Sequence, residues 1–437
     1  MFKIIKIISL SLTLGASIPE GYCSVPDEIQ LQWPQVPSPY YSVSQNGQTF
    51  GILRQGGGKT FVRFQDQTVE LPAIPEAETS NAHPAQDWEH VHINPDGKYI
   101  INIIKGELVI RNLPTGETIW RGVLEGIERP SYGIAYSFDS AAKQFLLVLG
   151  HRLFKFKIDN NGMAKKSSDT PISFVPEGHS KWGNFVHSAT FSADGRFLFI
   201  GNMDGEVLSI RLDSEPPTLQ WRVPVFGQIK AGGFDDEASR YVKNLACADS
   251  CGTLLATATR GHQVALLDAA TGKIITKKSG NERYRVFSVG QGHFFMSVIS
   301  ADRRTETRTI ADSAFRPVMP IPLSSMSDAV IFGFKDGFAS IAKVAKQEKQ
   351  SIRFTYVAEL LDKHRQRLAA QQRLQAQLPD FRRKLRSGDD SHCGLVIERK
   401  GNIALVETII GQKWLKISQL HQPGARSCTF FNNVLQD

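Results

Sequence analysis

A few residue groups in this 437-residue chain have the types and spacing that invite chemistry. Gly56-Gly57-Gly58-Lys59-Thr60 resembles the end of a phosphate loop, in which backbone N–H groups and a lysine cradle phosphate. Such a loop needs a glycine at position 53, where Leu53 stands, and a helix after the lysine. The following Thr60-Phe61-Val62-Arg63-Phe64 alternates like a strand instead, so the glycines read as a hairpin turn. His83, Asp87, His90 and His92 form the one histidine cluster. On a strand His90 and His92 share a face and could ligate a metal with Asp87, but nothing fixes a third ligand; hydrogen-bonded histidines at a sheet edge are expected, and no metal. A Gly-x-Ser-x-Gly nucleophile elbow is absent, which leaves a serine hydrolase without an anchor. Asp194, inside Ser192-Ala193-Asp194-Gly195-Arg196, reads as the cap of a turn. No catalytic residue and no cofactor is implied.

The five cysteines are Cys23, Cys247, Cys251, Cys393 and Cys428, and they contain no pair of Cys-x-x-Cys elements, which excludes a zinc ribbon. The amino terminus carries two lysines, an apolar run from Ile4 to Leu14 broken by Lys6 and small hydroxyl residues, and then Gly15, Ala16 and Ser17. That is the layout of a secretory signal peptide over residues 1–24, too short to span a bilayer, with cleavage after Ser17 or after Cys23. Export makes disulfides possible. Cys393 and Cys428 bracket one compact segment and are the expected structural pair, contributing about 3 to 4 kcal/mol by loop closure. Cys247 and Cys251 flank a strand end and a turn, and at least one is expected to be a buried thiol.

Charge is concentrated in one place. The 51 Lys and Arg outnumber the 43 Asp and Glu, yet residues 358–386 alone hold eight basic residues against three acids. The body from 25 to 357 is nearly neutral, so a surface for binding nucleic acid through many phosphate contacts is not expected. Apolar residues at 41% and charged residues at 22% exclude wholesale disorder and a multi-span membrane protein, and 36 Gly with 21 Pro punctuate many short segments. An all-β architecture follows.

The clearest segment runs from Glu177 to Arg222 and reads as four strands, near Val186–Ser192, Phe197–Asn202, Val207–Leu212 and Leu219–Val223. Turns at Asp194-Gly195 and Asp204-Gly205 separate them, because a two-residue hairpin turn needs positive φ. Similar phrases span His92–Trp120 and Leu245–Lys277, with weaker copies at Ser42–Leu71, Gly133–Asp159, Tyr284–Ile310 and Met326–Val344. Seven copies at about 40 to 50 residues each suit one propeller blade apiece. With Gly178-His179, Phe191-Ser192, Asp194-Gly195 and Asp204-Gly205, the best segment resembles the WD-repeat family, although Arg211-Leu212-Asp213 stands where that family ends its third strand in Trp-Asp. The resemblance implies a seven-bladed β-propeller over residues 40–357. Thr115-Gly116-Glu117-Thr118-Ile119-Trp120 also resembles a blade ending of the quinoprotein propellers, but Thr271-Gly272 is followed by no tryptophan, so a ring of docking tryptophans is not expected.

From Val357 apolar residues recur at steps of three and four, giving an amphipathic basic helix over 358–386 that ends or kinks at Pro379, its apolar stripe packed on the propeller's flank. Arg382, Arg383, Lys384 and Arg386 are its candidate partner-binding residues. Residues 390–437 read as a small β module that resembles an SH3-like barrel and C-terminal segments of bacterial envelope proteins, a similarity that implies no activity. The functional expectation is a periplasmic or secreted, noncatalytic scaffold that binds protein partners in the cell envelope through one propeller face and the helix. The alternative is a propeller hydrolase or lyase with its site in the central channel; a retained leader would make a cytoplasmic scaffold.

Overall fold

The computed structural model describes residues 28–435, apart from segments 33–39, 44–48, 54–59, 65–66, 72–89, 94–98, 105–106, 124–133, 140–143, 150–151, 173–185, 232–233, 249–250, 322–328, 343–348, 426–427 and 432–433 and positions 114, 236, 335 and 429. The leader and Cys23 lie outside the described residues. Among the described residues, seven four-stranded antiparallel sheets precede the helix, spanning residues 40–71, 90–123, 134–171, 186–224, 242–279, 283–320 and 329–356. Six of them are consecutive meanders. The seventh borrows its outer strand from the other end of the chain: Glu28–Gln32 pairs antiparallel with Lys349–Tyr356, Ile29 opposite Ile352.

Neighbouring sheets touch in sequence order, and the cycle closes. The first strands Tyr40–Val43 and His90–Ile93 meet, as do Ile134–Asp139 and Val186–Phe191, and Val186–Phe191 and Val242–Ala248. Arg283–Ser288 then meets Ala329–Phe334, which meets Tyr40–Val43 again. First strands therefore form the inner wall of a ring.

The core lies between sheets, and side-chain alternation builds it. In Phe197–Asn202, Leu198 and Ile200 pack against the third sheet with Ala135, Leu146 and Val148, whereas Phe199 packs against the fifth with Leu254, Ala256 and Leu267. In Gln263–Asp268, Ala265 and Leu267 turn to the fourth sheet, and Val264 and Leu266 to the sixth with Phe294 and Met296. A strand with neighbours on both faces needs apolar residues at every position, which is why these segments are continuous apolar runs rather than alternating ones.

Two outer-strand tryptophans dock onto the next sheet. Trp120 meets Phe156 edge-on at 5.0 Å, and Trp221 donates from Nε1 to the Ala269 carbonyl at 3.1 Å. A Cβ on Gly272, φ +72°, would stand 2.7 Å from the Trp221 ring, so that turn must be glycine.

The helix and module depart from expectation in two respects. A single helix runs through Pro379, from Val357 to Lys384. Proline removes one backbone bond, to the Gln375 carbonyl, and the turn beyond it is held from outside: Phe381 and Leu385 pack in the module's core with Val396, Val406 and Leu415, and Arg382 Nε donates to the Leu420 carbonyl at 3.0 Å. The apolar stripe does not lie along the propeller. Among the described residues only Val357, Leu360 and Leu361 pack there, with Val289, Phe295 and Phe338, and the middle of the helix is exposed, Leu368 included. The module is a meander of Asp390–Ser391, Gly394–Lys400, Ile403–Thr408 and Gly411–Lys416, with a hairpin of Phe430–Phe431 and Val434–Leu435 after it. Among the described residues no helix is long and apolar enough to cross a membrane.

Sheet contact is tight enough to test. A Cβ on Gly201 would come within 2.4 Å of Val242 Cγ1 and 2.6 Å of Ser188 Oγ, and Val242 is fully buried. Gly201→Ala should cost about 1–3 kcal/mol of overpacking, read as a lower urea midpoint at unchanged slope.

Candidate interaction surface

One end of the ring is built from the loops before each first strand and between each second and third strand. By strand register, residues 259–262, 280–282 and 300–305 share this end, because Arg283 pairs with Ile299 and Ile299 with Glu306, while Val242 pairs with Ala258. The fifth and sixth sheets interlock here. A Cβ on Gly261 would lie 2.6 Å from the Tyr284 carbonyl oxygen, His262 Nδ1 lies 2.9 Å from the Glu282 carbonyl, and the Gly280 N–H donates to the His262 carbonyl. Arg260, Arg283, Arg285 and Arg303 are thereby gathered into one neighbourhood.

Two of these arginines stand in backbone conformations that favour glycine, Arg260 at φ +64° and Arg303 at φ +60°. A comparison inside the chain shows what that means. In Ser192-Ala193-Asp194-Gly195-Arg196, Ser192 Oγ donates to Asp194 Oδ1 at 2.6 Å, the Arg196 N–H donates to the same oxygen at 3.1 Å, and glycine takes φ +68°. Ser300-Ala301-Asp302-Arg303-Arg304 repeats both bonds, at 2.5 and 3.0 Å, with arginine in glycine's place. A side chain in that region costs about 1–2 kcal/mol, so Arg303 is poorly explained by stability.

The carboxylates of these loops are already engaged. Glu282 accepts from the Tyr284 hydroxyl at 3.0 Å, Asp302 from Ser300 and the Arg304 N–H, and Glu306 from Ser297 at 2.6 Å and from Arg308 at 2.8 Å. Arg308 hydrogen bonding, with Ser297 and the Arg285 charge adding to it, holds Glu306 below its usual range. Burial and the Glu282 contact push the Tyr284 phenol up to about 12, so it stays a neutral donor. Arg283, Arg285 and Arg303 make no ion pair among the described residues. Burial and then the like charges of Arg303, Arg260 and Arg285 lower the Arg283 pKa. Next door the pattern differs, for Arg240 is paired to Asp204 at 3.1 Å.

The inner wall offers less. Burial first, with Lys243 adding to it, lowers the His187 pKa. The seven inner strands contain one carboxylate, Asp139, so no two of them can supply a carboxylate pair. His83 and Asp87 lie outside the described residues, as do the side chains of His90 and His92 and the turn at 56–59. The strands flanking that turn, Thr49–Leu53 and Thr60–Phe64, pair antiparallel. Asp194 caps its turn, as bonded above.

The four basic residues at the helix end have separate fates. Arg382 joins the helix to the module. Arg383 pairs with Asp380 at 2.7 Å on the surface, and Lys384 and Arg386 are exposed. Sequence reasoning missed Arg399, whose Nη1 donates to the Arg383 and Leu385 carbonyls at 3.1 and 2.7 Å, a cation closing the negative end of the helix. The module's outer face exposes Leu395, Ile403 and Trp414, with Ile409 91% exposed at a hairpin tip.

Cys393 and Cys428 are bonded, their Cα atoms 4.9 Å apart. Cys247 and Cys251 are bonded as well, Cα atoms 4.5 Å apart, which corrects the expected thiol: four residues of separation let the turn at Cys251, φ +69°, fold the two side chains together.

No protein-family model and no curated protein matches the chain. Among solved structures it is similar to the β-propeller domain of Cps50 (Swd1) from Myceliophteria thermophila, at 12% identity and a TM-score of 0.50, covering 76% of this chain and 100% of that one. The fold is a β-propeller. It is also similar to a chain of the Mitotic Checkpoint Complex, at 13% identity and TM-score 0.47, covering 80% and 100%, and to BamB from Moraxella catarrhalis, at 11% and 0.45, covering 72% and 84%.

Two substitutions separate the roles of these arginines. Arg303→Gly should raise the melting temperature by about one degree, since it relieves about 1 kcal/mol of backbone strain. Arg399→Met should leave the propeller's melt unchanged and speed limited proteolysis between residues 385 and 390, because two helix-end carbonyls lose a charged donor.

Proposed function

We propose that this chain is an exported, noncatalytic binding platform: seven sheets serve as seven blades, and an acidic segment of an envelope protein docks on the arginine end of the fifth and sixth. The observation that carries this reading is Arg303, an arginine in glycine's backbone position beside Arg283, whose pKa is lowered by burial and then by the like charges of Arg303, Arg260 and Arg285. A surface on which guanidinium groups crowd one another is complementary to carboxylates, which would relieve the repulsion on binding. The exposed apolar face of the module, read as SH3-like, offers a second contact. Export rests on the form of the leader, and the noncatalytic reading on the missing catalytic motifs and the single carboxylate of the inner strands.

The test is crosslinking of the tagged full-length protein in its native cells, with identification of what is attached. The triple variant Arg283→Gln, Arg285→Gln, Arg303→Gln should lose an envelope protein that wild type captures, and its residual binding should depend less on salt. Capture and salt response equal to wild type in that variant would contradict the reading. The corresponding change of Arg383, Lys384 and Arg386 to Gln measures the helix's share separately.

A further inference from the structure

The Cys393–Cys428 bond carries a neighbour that a purely structural staple does not need. His392 Nε2 lies 3.4 Å from Cys393 Sγ. The ring's other nitrogen, Nδ1, faces the backbone N–H of His421 at 3.2 Å, and the backbone N–H of His392 donates to the His421 carbonyl at 2.9 Å. An N–H cannot accept, so Nδ1 holds the lone pair and the neutral ring carries its hydrogen on Nε2, aimed at the sulfur. The bond itself argues against a metal on His392, Cys393 and Cys428, whose ligand atoms lie within 4.8 Å of one another, because a metal takes thiolates and these two sulfurs are joined to each other. The two sulfurs also differ in access: Cys393 is 5% exposed, and Cys428 is half-buried.

We propose that Cys393–Cys428 is a thiol-exchange site for small dithiols, with Cys428 the sulfur attacked and Cys393 the leaving thiolate that His392 stabilises. The thiolate of the incoming dithiol bonds to Cys428 Sγ, and the Cys393–Cys428 bond breaks. Its electron pair stays on Cys393 Sγ, where the His392 Nε2–H donates to the new negative charge. The dithiol's second thiol, as thiolate, then displaces Cys428; the dithiol leaves oxidised to a disulfide, and both protein sulfurs are reduced by two electrons in all. A leaving thiolate that accepts a hydrogen bond leaves faster. Opening the bond frees the chain end from its covalent tie, so Phe430, which packs against the cluster of Val396, Val406 and Leu415, is held by packing alone. This inference is independent of the arginine surface.

The second disulfide is a built-in control. Both Cys247 and Cys251 sulfurs face the Phe191 carbonyl oxygen, at 3.1 and 3.3 Å, and the Thr190 hydroxyl donates weakly to Cys247 Sγ at 4.0 Å, but among the described residues no imidazole bonds to either sulfur. The experiment reduces the full-length protein with dithiothreitol, quenches with acid, alkylates, and maps each cysteine by mass. His392→Phe should slow opening of Cys393–Cys428 by about tenfold, the worth of one hydrogen bond to a charge, while His392→Gln, which keeps an N–H donor, should recover most of the rate. Neither variant should change Cys247–Cys251. With glutathione in place of the dithiol, the trapped mixed disulfide should sit on Cys428, with Cys393 alkylated. Equal slowing in both variants, wild-type rates in both, or glutathione trapped on Cys393 would each overturn the proposal.

Discussion

The pairing of Glu28–Gln32 with Lys349–Tyr356 is the constraint on which the rest of this molecule depends. A row of twisted four-stranded sheets has two ends, and each end exposes an apolar face. Curling the row until those faces meet removes the problem, but only if something resists reopening. Here the resistance is covalent continuity turned into sheet pairing: the first described strand completes the last sheet, so the ring cannot open without breaking a strand pair as well as the contact of Ala329–Phe334 with Tyr40–Val43. It also covers what would otherwise be an unpaired edge on Lys349–Tyr356.

Closure has a consequence for chemistry. Loops from different sheets are held at one end at fixed spacing, so residues far apart in the chain become neighbours without long side-chain reach. Arg260 and Arg303 belong to different sheets, and the Gly261 approach to Tyr284 locks the two together. The helix extends the same logic outward. It is anchored at its start on the sixth and seventh sheets by Val357, Leu360 and Leu361, and at its end in the module by Phe381, leaving a polar span between two packed ends.

What could be read from the residues follows from how local each signal is. The strands of 186–224 were legible because Asp-Gly turns and apolar runs lie next to each other in sequence, and the observed bounds differ by a residue or two. The outer strand Glu28–Gln32 was not, because its partner is more than 300 residues away and nothing within five residues marks it as half of a sheet edge. The helix was legible, but its continuation through Pro379 was not, since the bonds that hold the next turn come from Leu420 and the module's core. Cys393 and Cys428 could be paired by their bracketing of one segment, whereas the short Cys247–Cys251 link depended on a backbone angle. The arginine cluster had no sequence signature: its members are spread from 260 to 303, and only register and a repeated turn with arginine in glycine's place bring it out.

If ring closure holds the arginine loops in place, amide hydrogen exchange reports it. In the intact protein, amides of Lys349–Tyr356 and of the first strands should exchange only with global unfolding. In a chain lacking residues 28–32, protection should fall in the seventh sheet and also in loops 280–282 and 300–305 of the sheet beside it. Faster exchange confined to Lys349–Tyr356, with those loops as protected as before, would contradict the account.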